Sequence, residues 1–167
     1  MQKEQLNVLA INPGSRYLGI AVFVGTELRD WAVKLARRDK IQAIMSEYID
    51  VYRVHVIALK KLHPARTSQT LRNIVSSTER LAMRRRLILR EYSIGEVKEA
   101  LLSQKGKNKR LLMEEVVARY PFLLNEFQKE EKNKNPYLIR MFETVGIGRV
   151  CLNQLDAAKQ KVARSSK

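Results

Sequence analysis

Residues 9–23 read LAINPGSRYLGIAVF. Two apolar runs, 7–12 (NVLAIN) and 17–24 (YLGIAVFV), flank Pro13-Gly14-Ser15-Arg16. Short apolar stretches on either side of a Pro-Gly-Ser turn read as strand, turn, strand. The first strand ends on Asn12, a polar but uncharged side chain at the lip of the turn.

Working outward, Gly25-Thr26 turns the chain into a third strand over 27–35 (ELRDWAVKL), which completes an antiparallel meander. The period then changes. Ile41, Ile44, Met45, Tyr48, Ile49 and Tyr52 follow helical spacing, so 39–53 is expected to be an amphipathic helix with Asp39 as its cap. Residues 54–59 (VHVIAL) return to strand. Thr67 or Ser68 caps a second helix with a stripe of Leu71, Ile74, Val75, Thr78, Leu81 and Ala82. A fifth strand is expected over 87–91, and Ser93 with Glu96 three residues on forms a capping box for a short helix. Leu112, Met113, Val116 and Val117 mark another helix, ended by Pro121. The stretch 125–135 (NEFQKEEKNKN) reads as a polar connection. A long last helix is expected over 136–163, with Asn135 as cap and Pro136 in its first turn. Gly146 and Gly148 inside it point to close packing against a neighbour. The order βββαβαβ followed by helices gives one α/β domain over 1–167, a mixed five-stranded sheet with helices on its faces.

Net charge is the outlying bulk property, +15 over 167 residues. A domain so basic is suited to a polyanion, most often nucleic acid, because neutralising phosphates releases counterions. Cys151 is the single cysteine, which excludes an intrachain disulfide and a thiolate metal cluster. The opening MQKEQLN has no signal-peptide core, and no run reaches the ~18 apolar residues of a membrane span. A soluble cytoplasmic protein with no membrane contact is the expectation. No Walker-type loop, Ser-His-Asp set or Cys/His cluster appears.

The element order and INPGSRYLGIAV resemble the RuvC-type Holliday-junction resolvases, which have the RNase-H-like nuclease fold. Three segments carry the resemblance: this opening stretch with Gly19 after the turn, 53–60 (RVHVIALK), and 92–121 (YSIGEVKEALLSQKGKNKRLLMEEVVARYP). In the last, Lys98 and Lys109 fall at the spacing of two family lysines. The resemblance implies a mixed sheet of three antiparallel then parallel strands, four carboxylates holding two divalent metals, and DNA as substrate. Resolvases of this type act as symmetric dimers, which leaves room for a homodimer here.

The matching positions depart from that chemistry. Asn12 stands where the resemblance implies an aspartate, and Lys60 where it implies a glutamate. On the last helix, one placement keeps Glu143 with Arg140 at the other acidic position; the other keeps Asp156 beside Asn153. The glycines favour the first. Either leaves one carboxylate of four, and an ammonium repels a cation. At ~4 Å and an effective dielectric near 20, two opposite unit charges attract by about 4 kcal/mol. Lys60 is therefore expected to replace a metal as the partner of Glu143.

The basic residues remain where the acids do not. Arg16, Lys60, Lys61 and Arg66 follow the first and fourth strands; Lys98, Lys105, Lys107, Lys109 and Arg110 surround the glycine loop. These are the candidate phosphate contacts, since a lone surface lysine is as a rule merely solvated but a convergent set is not. Arg84-Arg85-Arg86 is either another such patch or a solvated run. His55 and His63 read as structural, and Tyr92 as core rather than a base-stacking platform.

The expectation is a degenerate nuclease that binds nucleic acid, structured or branched DNA in particular, through a basic cleft without cofactor. Two readings stand beside it: an active endonuclease using Mg2+ or Mn2+, and a basic structural protein docked on RNA or a protein partner.

Overall fold

The computed structural model describes residues 4–103, 106, 108–133 and 137–166. The opening stretch folds as β1 (Asn7–Pro13) and β2 (Tyr17–Val24), and β3 (Glu27–Leu35) completes the meander. Gly25 at φ +61 makes the β2–β3 turn, a conformation that a side chain resists. After α1 (Ile41–Tyr52) comes β4 (Val56–Lys60), then α2 (Gln69–Arg84) and β5 (Ile88–Tyr92). The sheet order is β3-β2-β1-β4-β5, with β1 antiparallel to β2 and parallel to β4. Four further helices follow: α3 (Ile94–Leu102), α4 (Lys109–Arg119), α5 (Leu124–Lys132) and α6 (Ile139–Ser165).

β1 and β4 are buried on both faces, and their alternation divides the core in two. Leu9, Ile11, Ile57 and Leu59 face α1 and α2. Val8, Ala10, Val56 and Ala58 face the layer of α3 to α6. Alanines on that second face let α6 lie close to the sheet. The two α6 glycines meet side chains as expected: a Cβ on Gly148 would collide with the Phe23 ring, and one on Gly146 would lie 3.0 Å from Val97 Cγ1.

Three expectations are corrected. Asp39 does not cap α1; Lys40 holds the N-cap position and makes no side-chain cap bond. Residues 124–132 are not a connection but α5, whose Glu130 is buried and accepts hydrogen bonds from the backbone N–H groups of Tyr137 (2.9 Å) and Leu138 (2.6 Å). That carboxylate serves the start of α6, which begins at Ile139 rather than 136; Asn135 and Pro136 lie outside the described residues. Elsewhere Ser68 caps α2, and Ser93 with Glu96 forms the capping box of α3. No helix among the described residues is long and apolar enough to cross a membrane.

Candidate nucleic-acid interface

β1 and β4 run parallel, so Asn12 and Lys60 lie at the same end of the sheet on neighbouring strands. α6 crosses that end. Its Arg140, Glu143 and Thr144 share one face, as residues three and four apart do. Gly19 admits the helix, because a Cβ there would meet the Thr144 hydroxyl and the Arg140 carbonyl; Gly14 lies against the guanidinium at the flexible end of Arg140.

Asn12 is fully buried, and both its amide N–H donors and its amide oxygen are hydrogen-bonded. Its Nδ2 donates to Glu143 Oε2 (3.2 Å) and to the Arg140 carbonyl (3.3 Å), while its Oδ1 accepts from Arg140 Nη1 (3.4 Å). Lys60 Nζ lies 3.8 Å from Glu143 Oε2, so the two side chains pair at this end of the sheet. Both side chains are well covered, with 28% and 12% of their surface exposed.

The balance of charge is the informative feature. Burial pushes the Lys60 ammonium below its usual pKa; Glu143 opposes that, and Arg140, Lys109 and Lys98 reinforce it. At Lys60 one carboxylate is therefore set against three other cations, and the site is short of negative charge.

A divalent metal does not fit these residues. Hard cations need several oxygen ligands, chiefly carboxylates. The pocket offers one carboxylate already paired to an ammonium and one amide oxygen already bonded to a guanidinium. Among the described residues no group of three His, Cys, Asp or Glu side chains converges. Asp156 lies 13 residues further along α6, about 20 Å at 1.5 Å per residue, and lines a groove with Glu4, Gln5 and Thr26 at the other end of the sheet. Asp30 accepts the Tyr52 hydroxyl at 2.9 Å on β3. Neither joins Glu143.

These features can be set beside known proteins. No family model matches the sequence, and no curated protein is significantly similar to it. Solved structures do match. RuvC of Thermus thermophilus superposes with a TM-score of 0.63 at 16% identity, over 93% of this chain and 97% of that one. T. thermophilus RuvC in complex with its Holliday junction substrate gives 0.62 at 15% identity, covering 87% and 91%. The yeast mitochondrial Holliday junction resolvase Ydc2 gives 0.62 at 11% identity, covering 96% and 84%. The fold is that of the RuvC-type resolvases. At such identities the likeness is one of architecture, with an RNase-H-like sheet under a crossing last helix.

Within this RuvC-type fold the candidate cations divide. Arg16, Lys61, Arg66 and Lys109 are exposed at the ends and links that border the pocket, with Lys98 half-buried on α3. Arg16 also lies over the Tyr17 ring, 5.3 Å from its centroid. Arg110 turns to protein carboxylates, pairing with Glu114 and Glu131 at 2.9 Å each. Lys105 and Lys107 lie outside the described residues. His55 accepts from the Asn7 amide (3.0 Å), His63 caps the short turn Pro64–Arg66, and Tyr92 is buried.

Sequence reasoning gave Arg140 no binding role and passed over Arg37, Arg38 and Lys40. The meander carries these last three to the pocket end, where the Ala36 amide donates to the Arg16 carbonyl at 2.9 Å. Gly19 was the available signal for Arg140, because a strand residue without a Cβ lets a helix backbone approach closely.

Proposed function

We propose that this chain binds nucleic acid, branched or otherwise structured DNA in particular, at the sheet end built by Asn12, Lys60 and α6, and that it does not cut it. One observation carries the reading: Lys60, Arg140, Lys98 and Lys109 converge where a single carboxylate remains. A buried cation whose charge is discouraged by its surroundings is completed by an anion from outside, and a backbone phosphate supplies one. Two-metal hydrolysis needs the opposite, a pocket of surplus negative charge that clamps both oxygens of the displacement. The similar T. thermophilus RuvC is described in complex with a Holliday junction, which favours branched DNA over linear.

Purified protein is incubated with four-way junctions and matched duplexes, first in magnesium and then in manganese. Retarded, intact DNA with a preference for the junction is the expected result. Metal-dependent nicks would establish the endonuclease instead. Equal affinity for branched and linear DNA would remove the structural selectivity.

A further inference from the structure

At the opposite end of the sheet the two parallel strands β4 and β5 are each entered through the same turn. α1 closes with Val54 N–H donating to the Ile49 carbonyl (3.1 Å), and α2 closes with Leu87 N–H donating to the Ala82 carbonyl (2.9 Å). Both are the six-to-one bonds of a Schellman motif, and Ile49, Val54, Ala82 and Leu87 all belong to or pack against one core cluster. The residue between helix and strand in such a turn adopts the left-handed conformation and is usually glycine. Here it is arginine twice: Arg53 at φ 48 and Arg86 at φ 54.

The two turns are neighbours. The Ile88 amide donates to the His55 carbonyl at 3.0 Å, continuing the β4–β5 ladder to this edge. The first turn is also pinned, because Asn7 Nδ2 donates to the carbonyls of Tyr52 (2.8 Å) and Arg53 (3.3 Å). A strained residue that its surroundings hold in place points to a use for its side chain. Arg53, Arg84, Arg85 and Arg86 are all exposed. Among the described residues the ion pair found at these turns is Arg85 with Asp50, which leaves the other three guanidinium groups turned to solvent.

We propose that Arg53, Arg84 and Arg86 form a second phosphodiester-binding surface, which lets one chain hold two nucleic-acid segments at once. The proposal rests on the nucleic-acid reading of the cleft. β4 runs from one surface to the other over Val56–Lys60, about 13 Å at ~3.3 Å per residue. The two surfaces face away from each other along the strands, so a straight duplex in the cleft does not reach the arginine turns. A second duplex, or another arm of a branched molecule, does. Each arginine fixes a phosphate by paired N–H donors, without reading sequence.

The test uses one biotinylated duplex on beads and a second, fluorescent duplex in solution. Wild-type protein should carry the fluorescent duplex onto the beads. The variant R53N/R84Q/R86N removes the charges while putting at both turns a residue that adopts the left-handed conformation readily, so its melting temperature should equal or exceed wild type. It should keep single-duplex binding within about twofold, yet lose bridging by tenfold or more at moderate salt. The cleft variant K61Q/R66Q/K98Q should bind a single duplex tenfold or more weakly, through the arginine patch alone, and should also lose bridging. A folded patch variant that still bridges overturns the proposal, and would assign bridging to two clefts of an oligomer. If the patch variant loses duplex binding while the cleft variant keeps it, the cleft reading fails and the patch stands. Wild-type protein that retains neither duplex overturns both.

Discussion

Lys60 shows how one side chain can report on a whole pocket. Its charge is opposed by burial and by three nearby cations, and is favoured by Glu143. A lysine whose folded-state pKa is lowered releases its proton more readily folded than unfolded. Below the ordinary 10.5 the unfolded chain then holds more of that proton, and stability rises with pH through that interval. The substitution K60M deletes this contribution. Urea denaturation of both proteins from pH 7 to 10.5 should show wild type gaining stability relative to K60M as pH increases. Parallel profiles would mean that the ammonium is not desolvated. The pair itself is no evidence of stabilisation, since desolvation of two charges can cancel their attraction. Asn12 and Lys60 were legible from sequence because the resemblance to the resolvases aligns short apolar strands, and both residues fall at or beside the ends of β1 and β4. Arg140 was harder: its role depends on how deeply α6 settles against Gly19, which is a packing outcome and not a pattern.

Among the elements, α6 decides the geometry of the site, and two glycines decide α6. Alanine at either position gains about 1 kcal/mol of helix propensity. At Gly148 the added methyl meets the Phe23 ring, an aromatic fixed in a fully buried position. Overpacking costs roughly 1–3 kcal/mol, so after the propensity gain G148A should destabilise by a net of up to about 2 kcal/mol. At Gly146 the obstacle is one methyl of Val97 at 3.0 Å, so G146A should fall closer to neutral. Urea midpoints for the two variants check the order, and a G148A protein as stable as wild type would mean that the helix sits further from the sheet. Sequence periodicity gave the strands and most helices because each buries a regular stripe. It missed α5 for a physical reason: Leu124–Lys132 is nearly all polar and buries Glu130, whose carboxylate is used up on the α6 backbone. A buried acid with a structural partner looks, in sequence, like one more surface charge. The two arginine turns are hidden in the same way, because a left-handed residue without glycine leaves no mark in the pattern.

For the whole molecule, the net charge of +15 now has a distribution. One basic surface lies where β1 and β4 end, and another where β4 and β5 begin, with a mixed sheet between them. Binding by such surfaces is a matter of phosphate neutralisation, and counterion release makes it steeply salt-dependent. If about six phosphates are met, raising salt from about 50 to about 200 mM should weaken DNA binding by roughly a thousandfold. A metal-dependent enzyme of the same fold would respond chiefly to its ion; here the cations of the site are covalent parts of the chain. Removing divalent ions with EDTA should therefore leave junction affinity unchanged at fixed ionic strength, or raise it slightly, because magnesium competes for phosphate. Fluorescence anisotropy across a salt series, with and without EDTA, measures both effects together. Loss of binding on chelation would require a metal bridge between protein and DNA, which a carboxylate paired to Lys60 and an amide oxygen bonded to Arg140 are poorly suited to hold.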